Sequence, residues 1–198
     1  LSFNNIVDIN AACNLITEFD EPTAAIIKHT NPCGIGSADN LVDAFNKAFE
    51  TDKDAPFGGI IIVNKPFTID LAHRIDEIFT EVLIAPEFES EALELLKKKK
   101  NRRLIQVDFN QFKAADKVDI KTIANGFLMQ TPDDKLIEGE LQIVTKRKPT
   151  PEEIKSMLFS FKVVKHVKSN AIVFTASDRT LGIGAGQMSR VDSARIAV

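Results

Sequence analysis

Residues 57–86 read FGGIIIVNKPFTIDLAHRIDEIFTEVLIAP, and the parsing of this stretch decides the fold. The run 57–63 ends in four consecutive branched apolar residues, the signature of a strand buried on both faces. Thr68 offers a side-chain oxygen to the start of a helix, and Leu71, Ile75, Ile78 and Phe79 recur along one helical face. Residues 81–86 then form a second short apolar strand. Strand, helix and strand in this order predict an α/β layered protein with a largely parallel or mixed sheet, covered on both faces.

The same grammar extends in both directions. Upstream, Ala11, Leu15 and Ile16 mark a helix over 10–19, closed by Glu21 and Pro22. Residues 23–29 form a short buried strand. Leu41, Ala44, Phe45, Ala48 and Phe49 give a helix over 40–50 with one apolar stripe. Downstream, 90–100 is a helix whose closing lysines, 97–100, favour the dipole and face solvent, and 103–107 is another strand. Residues 1–109 therefore form one α/β unit. Residues 110–150 turn polar and read as a connector, extended over 116–130. A helix over 152–167, strands near 170–176 and 180–187, and a helix begun at 188 open a second unit, 151–198, inside which the chain stops.

Composition bounds the function. A formal charge of −3 and a pI near 5.7 lack the cationic excess of a general nucleic-acid binder. No apolar run approaches the roughly 20 residues of a membrane span, and the first residues lack a signal-peptide layout, so a cytoplasmic location is expected. Cys13 and Cys33, with no pairing framework, suit a reducing compartment. The 14 phenylalanines, with neither Trp nor Tyr, give aromatic packing without a polar handle.

The chemistry concentrates in IIKHTNPCGIG, residues 26–36. Lys28 and His29 leave a strand together and enter what reads as a rigid turn, Asn31-Pro32-Cys33-Gly34, with Gly34 open to close ligand approach. They are either solvated strand-end groups or a proton-handling pair at the carboxyl edge of a sheet, where open α/β sheets bind ligands. Cys33 invites a zinc-deaminase reading, but neither H-x-E nor P-C-x-x-C is present, so no metal is expected. Gly182 to Gly186 (GIGAG) match a dinucleotide loop only in part and suit a strand-to-helix turn open to a flat ligand, with Gln187, Ser189 and Arg190 following. Asn170 is a strand-entry residue or an amide that orients a substrate. Phe57 beside Gly58 is a core ring or a stacking platform.

Five blocks, KHTNPCG, FGGIIIVN, EVLIAPEFESEAL, KHVKSNAIVF and GIGAGQMSRVDSARIA, stand in the order found in the transformylase half of the bifunctional purine-biosynthesis family AICAR transformylase/IMP cyclohydrolase, which the chain resembles throughout in its bacterial form. The resemblance implies a three-layer, cytidine-deaminase-like α/β/α unit, duplicated, with the second copy incomplete and no catalytic metal. It implies transfer of a formyl group from the cosubstrate 10-formyltetrahydrofolate to the 5-amino group of AICAR. By motif, Lys28, His29 and Asn170 become catalytic, Phe57 and Gly58 line the AICAR base, and Glu81, Arg190 and Val191 contact folate. It also implies a homodimer and a parent chain with an N-terminal IMP cyclohydrolase domain. The family's RYGxNPHQ and SDAFFPFxD segments are absent here, so the 198 residues alone are expected to be inactive. Two rival readings are a non-catalytic ligand-binding or regulatory α/β domain and a zinc deaminase.

Overall fold

A computed structural model describes residues 1–198 apart from Ala55 and Asp116. At its centre five strands, β1 (Thr23–Lys28), β2 (Asn31–Ser37), β3 (Ile60–Val63), β4 (Val82–Ala85) and β5 (Arg103–Gln106), pair in the order β2-β1-β3-β4-β5. The last three run parallel, whereas β1 lies antiparallel to both β2 and β3. The sheet is mixed and the class α/β, as the alternation of elements predicts.

Side chains that alternate across a strand serve two different cores. Ala24 and Ile26 join Phe45 of α2 (Leu41–Thr51), Leu71 and Ile75 of α3 (Ile69–Asp76) and Leu96 of α4 (Ser90–Leu96). Ala25 and Ile27 face the other way, onto Ala12, Leu15 and Ile16 of α1 (Phe3–Ile16) and Phe159 and Val163 of α6 (Pro151–Val164). Each fully buried isoleucine contributes roughly 1.5–3 kcal/mol by leaving water. Strands sandwiched in this way have no polar face to show, hence their continuous apolar runs.

The helix expected over 10–19 begins seven residues earlier. Ser2 caps it, and its side chain and that of Asn5 exchange bonds with each other's backbone N–H. The box uses asparagine where glutamate or glutamine is usual, and Phe3, Ile6 and Val7 are exposed, so no apolar stripe marks these turns. The stretch 31–37 is a strand where a turn was expected. Pro32 fits because β2 ends the five-strand order and because the register slips between Ile26 and Ile27, a bulge opposite Cys33.

The glycines of both G-I-G segments admit helices, where ligand access was expected. A Cβ on Gly34 or Gly36 would meet the carbonyls of Ala48 or Ala44 in α2. A Cβ on Gly182 or Gly184 would meet those of Ala197 or Ser193 in α7 (Arg190–Ala197). These last glycines belong to β9 (Thr180–Gly184), which pairs antiparallel with β8 (Ile172–Thr175). β9 docks on β2 through a bridge between Gly36 and Arg179 and a bond from the Ile35 N–H to the Thr180 hydroxyl. Between the two parts, α5 (Phe109–Ala114) leads to a separate hairpin of β6 (Asp119–Ile123) and β7 (Gly126–Gln130), where a plain extended stretch was expected. Among the described residues, no helix is long and apolar enough to cross a membrane.

Candidate active site

Lys28 closes β1, Asn31 opens β2, and the two pair across a loop of only His29 and Thr30. Both loop residues take positive φ, 55° and 64°, as the two central positions of a type I′ hairpin turn require. Neither has the side chain that tolerates this conformation at no cost, so the turn needs outside support. Asp8 Oδ1 accepts the Thr30 N–H at 2.8 Å, and Asn31 Nδ2 donates to the His29 carbonyl at 3.0 Å. The histidine is thereby fixed by its backbone while its ring stays exposed.

The direction of β1 places the pair unexpectedly. Lys28 stands at the carboxyl end of its own strand, but β1 opposes β3, so this is the amino-end edge of the parallel strands. The carboxyl ends of the parallel strands therefore lie at the opposite edge of the sheet from Lys28 and His29. Along this edge the other expected residues fall in sequence. Lys28 Nζ donates to the Phe57 carbonyl at 3.1 Å. Gly58, at φ 74°, donates its N–H to the Phe79 carbonyl at 2.9 Å. The Phe57 ring, 66% exposed, rests on Phe79 with centroids 5.0 Å apart, an open aromatic platform beside the lysine. One strand further, Glu81 precedes β4 and accepts from Asn5 Nδ2 at 3.4 Å. With strands about 4.8 Å apart, Glu81 stands about 10 Å from the lysine–histidine turn.

Asn170 approaches from the opposite flank. Asn31 Oδ1 accepts the Lys168 N–H at 2.9 Å, so the first strand pair holds the segment that carries Asn170. The Asn170 amide, expected to face a substrate, donates to the Gln187 and Met188 carbonyls at 3.1 and 3.0 Å. These bonds occupy Nδ2, not Oδ1. They also place the start of α7, where Arg190 and Val191 are exposed on the first turn. Lys28, Phe57 and Gly58 are thus brought together directly, Glu81 lies beside them, and Asn170 joins through Asn31. Arg190 and Val191 follow directly on the loop that Asn170 holds.

Cys33 borders this edge as an inert group. Burial, with Asp52 adding to it and Lys28 opposing, pushes its thiol up to about 11. Among the described residues, no three His, Cys, Asp or Glu side chains gather in a metal-binding group. Sequence reasoning missed Asp8 and Phe79 as neighbours of the pair, and it read Asn31 as part of a turn without its side-chain bonds. The available signal for Asn31 was chemical, since an amide directly after a two-residue loop can bond the backbone on either side.

Fold and site together define an α/β protein with a lysine–histidine pair built into a hairpin at the sheet edge. Over residues 1–198 the chain matches the family described as AICARFT/IMPCHase bienzyme, and it belongs to that family. It is 54% identical over 202 residues to the bifunctional purine biosynthesis protein PurH of Chloroflexus aurantiacus, covering 100% of this chain and 39% of that protein. The PurH proteins of Chlorobium chlorochromatii and Pediococcus pentosaceus are 52% and 46% identical, with 100% of this chain and 38% and 39% of theirs covered. The chain thus spans about two-fifths of the length of these relatives.

Proposed function

We propose that these residues carry the formyl-transfer half of a bifunctional purine-biosynthesis enzyme, moving a formyl group from 10-formyltetrahydrofolate to the 5-amino group of AICAR. His29 accepts a proton from the amine as its nitrogen attacks the formyl carbon. Lys28 stabilises the formyl oxygen of the tetrahedral intermediate or protonates the departing folate nitrogen. The intermediate collapses to formyl-AICAR and tetrahydrofolate. An aromatic amine is a weak nucleophile, so the gain lies in holding it against the base. Phe57 and Gly58 take the AICAR base, Asn170 aligns the reacting groups, and Glu81, Arg190 and Val191 take folate. No metal enters these steps, and the half-buried, neutral thiol of Cys33 suits that reading.

The observation that carries the proposal is the hairpin turn that holds Lys28 and His29 beside an exposed Phe57 and ties them through Asn31 to the Asn170 segment. The fold reading is a duplicated, deaminase-like unit in three layers. In its support, α6-β8-β9-α7 repeats the order α1-β1-β2-α2, with a G-I-G strand under the closing helix in each. Residues 1–109 and 151–198 are then the two copies, the second incomplete, joined by 110–150. The parent chain adds an N-terminal IMP cyclohydrolase domain, works in the cytoplasm and pairs as a homodimer. In the full-length enzyme, Lys28→Ala and His29→Ala should each cut formyl transfer roughly 100- to 10,000-fold while circular dichroism stays unchanged. Near-normal turnover in both would assign the pair to structure.

A further inference from the structure

The Asn31 side chain makes two bonds of opposite sense. Its Nδ2 donates to the His29 carbonyl at 3.0 Å, and its Oδ1 accepts the Lys168 N–H at 2.9 Å, from a residue 137 positions away. From Lys168 the bonding continues without a gap. The Lys168 carbonyl accepts the Gly186 N–H at 2.7 Å, and Asn170 bonds the Gln187 and Met188 carbonyls. The Asn170 carbonyl in turn accepts the Ser193 hydroxyl at 2.7 Å. A single amide therefore sits between the turn that carries His29 and the loop that carries Asn170. Only an amide of this length satisfies both partners, since a carboxylate has no donor for the His29 carbonyl and a hydroxyl is too short to span them.

We propose that Asn31 is a positioning residue, a clip that sets His29 and Asn170 at their working separation by bonding the backbone of both segments at once. This rests on the reading of Lys28, His29 and Asn170 as reacting groups. The clip acts on backbone atoms of both segments. Its loss changes the alignment of the amine with the base, and so acts on turnover more than on binding.

The test compares Asn31→Asp and Asn31→Leu with wild type in the full-length enzyme. Asn31→Asp keeps the acceptor for Lys168 and loses the donor to His29, at almost unchanged size. Asn31→Leu loses both. The expected result is a kcat roughly 10- to 100-fold lower in Asn31→Leu and intermediate in Asn31→Asp, with KM for AICAR and for the folate within about threefold of wild type. Amide exchange at Lys168 should quicken in Asn31→Leu and stay slow in Asn31→Asp. A kcat within about twofold of wild type in both variants, or a rise in KM without a loss of kcat, overturns the proposal. If Asn31→Leu does not fold, Asn31→Asp carries the kinetic comparison. Lys28→Ala and His29→Ala are run alongside. If they retain turnover, the reaction assignment fails while exchange at Lys168 still reads the clip. If they lose it and the Asn31 variants do not, the assignment stands and the clip fails.

Discussion

Acid should loosen the junction between α1 and α6, and the response can be worked from one carboxylate. Glu18, just beyond α1, accepts from Lys165 Nζ at 2.8 Å and from His166 Nε2 at 3.0 Å, with its side chain only 18% exposed. Burial alone would raise the carboxyl, but the hydrogen bonds and charges of His166 and Lys165 outweigh it and hold it at about 2, against an ordinary 4.5. The folded protein therefore favours the ionised form more than the unfolded chain does. Its contribution is complete above 4.5 and disappears as pH falls towards about 2. At about 1.4 kcal/mol per pH unit the full interval corresponds to about 3.5 kcal/mol, and solvent screening of a partly exposed group brings this to about 2 kcal/mol.

Urea unfolding of wild type and Glu18→Gln across a pH series measures this directly. The variant should be about 2 kcal/mol less stable near pH 7, with the gap closing below about pH 4.5 and nearly gone near pH 2. Glu153, held at about 2 by Arg147 and Thr150, titrates in the same window. It is present in both proteins, so it cancels in the difference. A gap that is absent at neutral pH, or that persists unchanged into acid, would refute the reasoning.

Four further outcomes follow from the same geometry. Asp8→Ala leaves the Thr30 N–H without its acceptor and should cost about 1–2 kcal/mol in urea unfolding, whereas Asp8→Asn keeps an oxygen there and should cost less; the reverse order would sink the role given to Asp8. Gly36→Ala drives a Cβ onto the Ala44 carbonyl and should destabilise by about 1–3 kcal/mol, and a neutral effect would contradict the close seating of α2 on β2. The Cys33 thiol, half-buried and pushed to about 11, should react with iodoacetamide near pH 8 at least roughly 10-fold more slowly than glutathione, and equal rates would mean that its surroundings do not hold it neutral. Ile120 pairs with Met129 and Thr122 with Phe127 on one face of the β6–β7 hairpin, where Ile120, Phe127 and Met129 are 57%, 71% and 73% exposed. In the homodimer proposed above, a double change of Phe127→Ser and Met129→Ser should weaken self-association in sedimentation, and an unchanged mass distribution would remove this face from the proposed dimer contact.

The strands and helices of the sheet were legible because burial on two faces leaves strands continuously apolar and helices striped, and both signals survive in the bare sequence at 60–63, 82–85 and 41–51. The direction of β1 was not. A two-residue hairpin normally announces itself by Asn-Gly or a similar pair suited to positive φ, and here the two positions hold His29 and Thr30. With that marker missing, the nearby Asn-Pro-Cys-Gly is the stronger turn signal in the sequence, and it hides β2 and the antiparallel direction of β1. Of the two residues that disguise the turn, His29 is one proposed to do the chemistry. A histidine placed at a turn position gains a backbone fixed at the peptide that follows it, whose N–H is held by Asp8 and whose carbonyl is held by Asn31, while its ring stays open to solvent. Asn-Gly would make the better hairpin and carry no base. A bulky residue held at positive φ by bonds from outside the turn is physical support for the role proposed for His29.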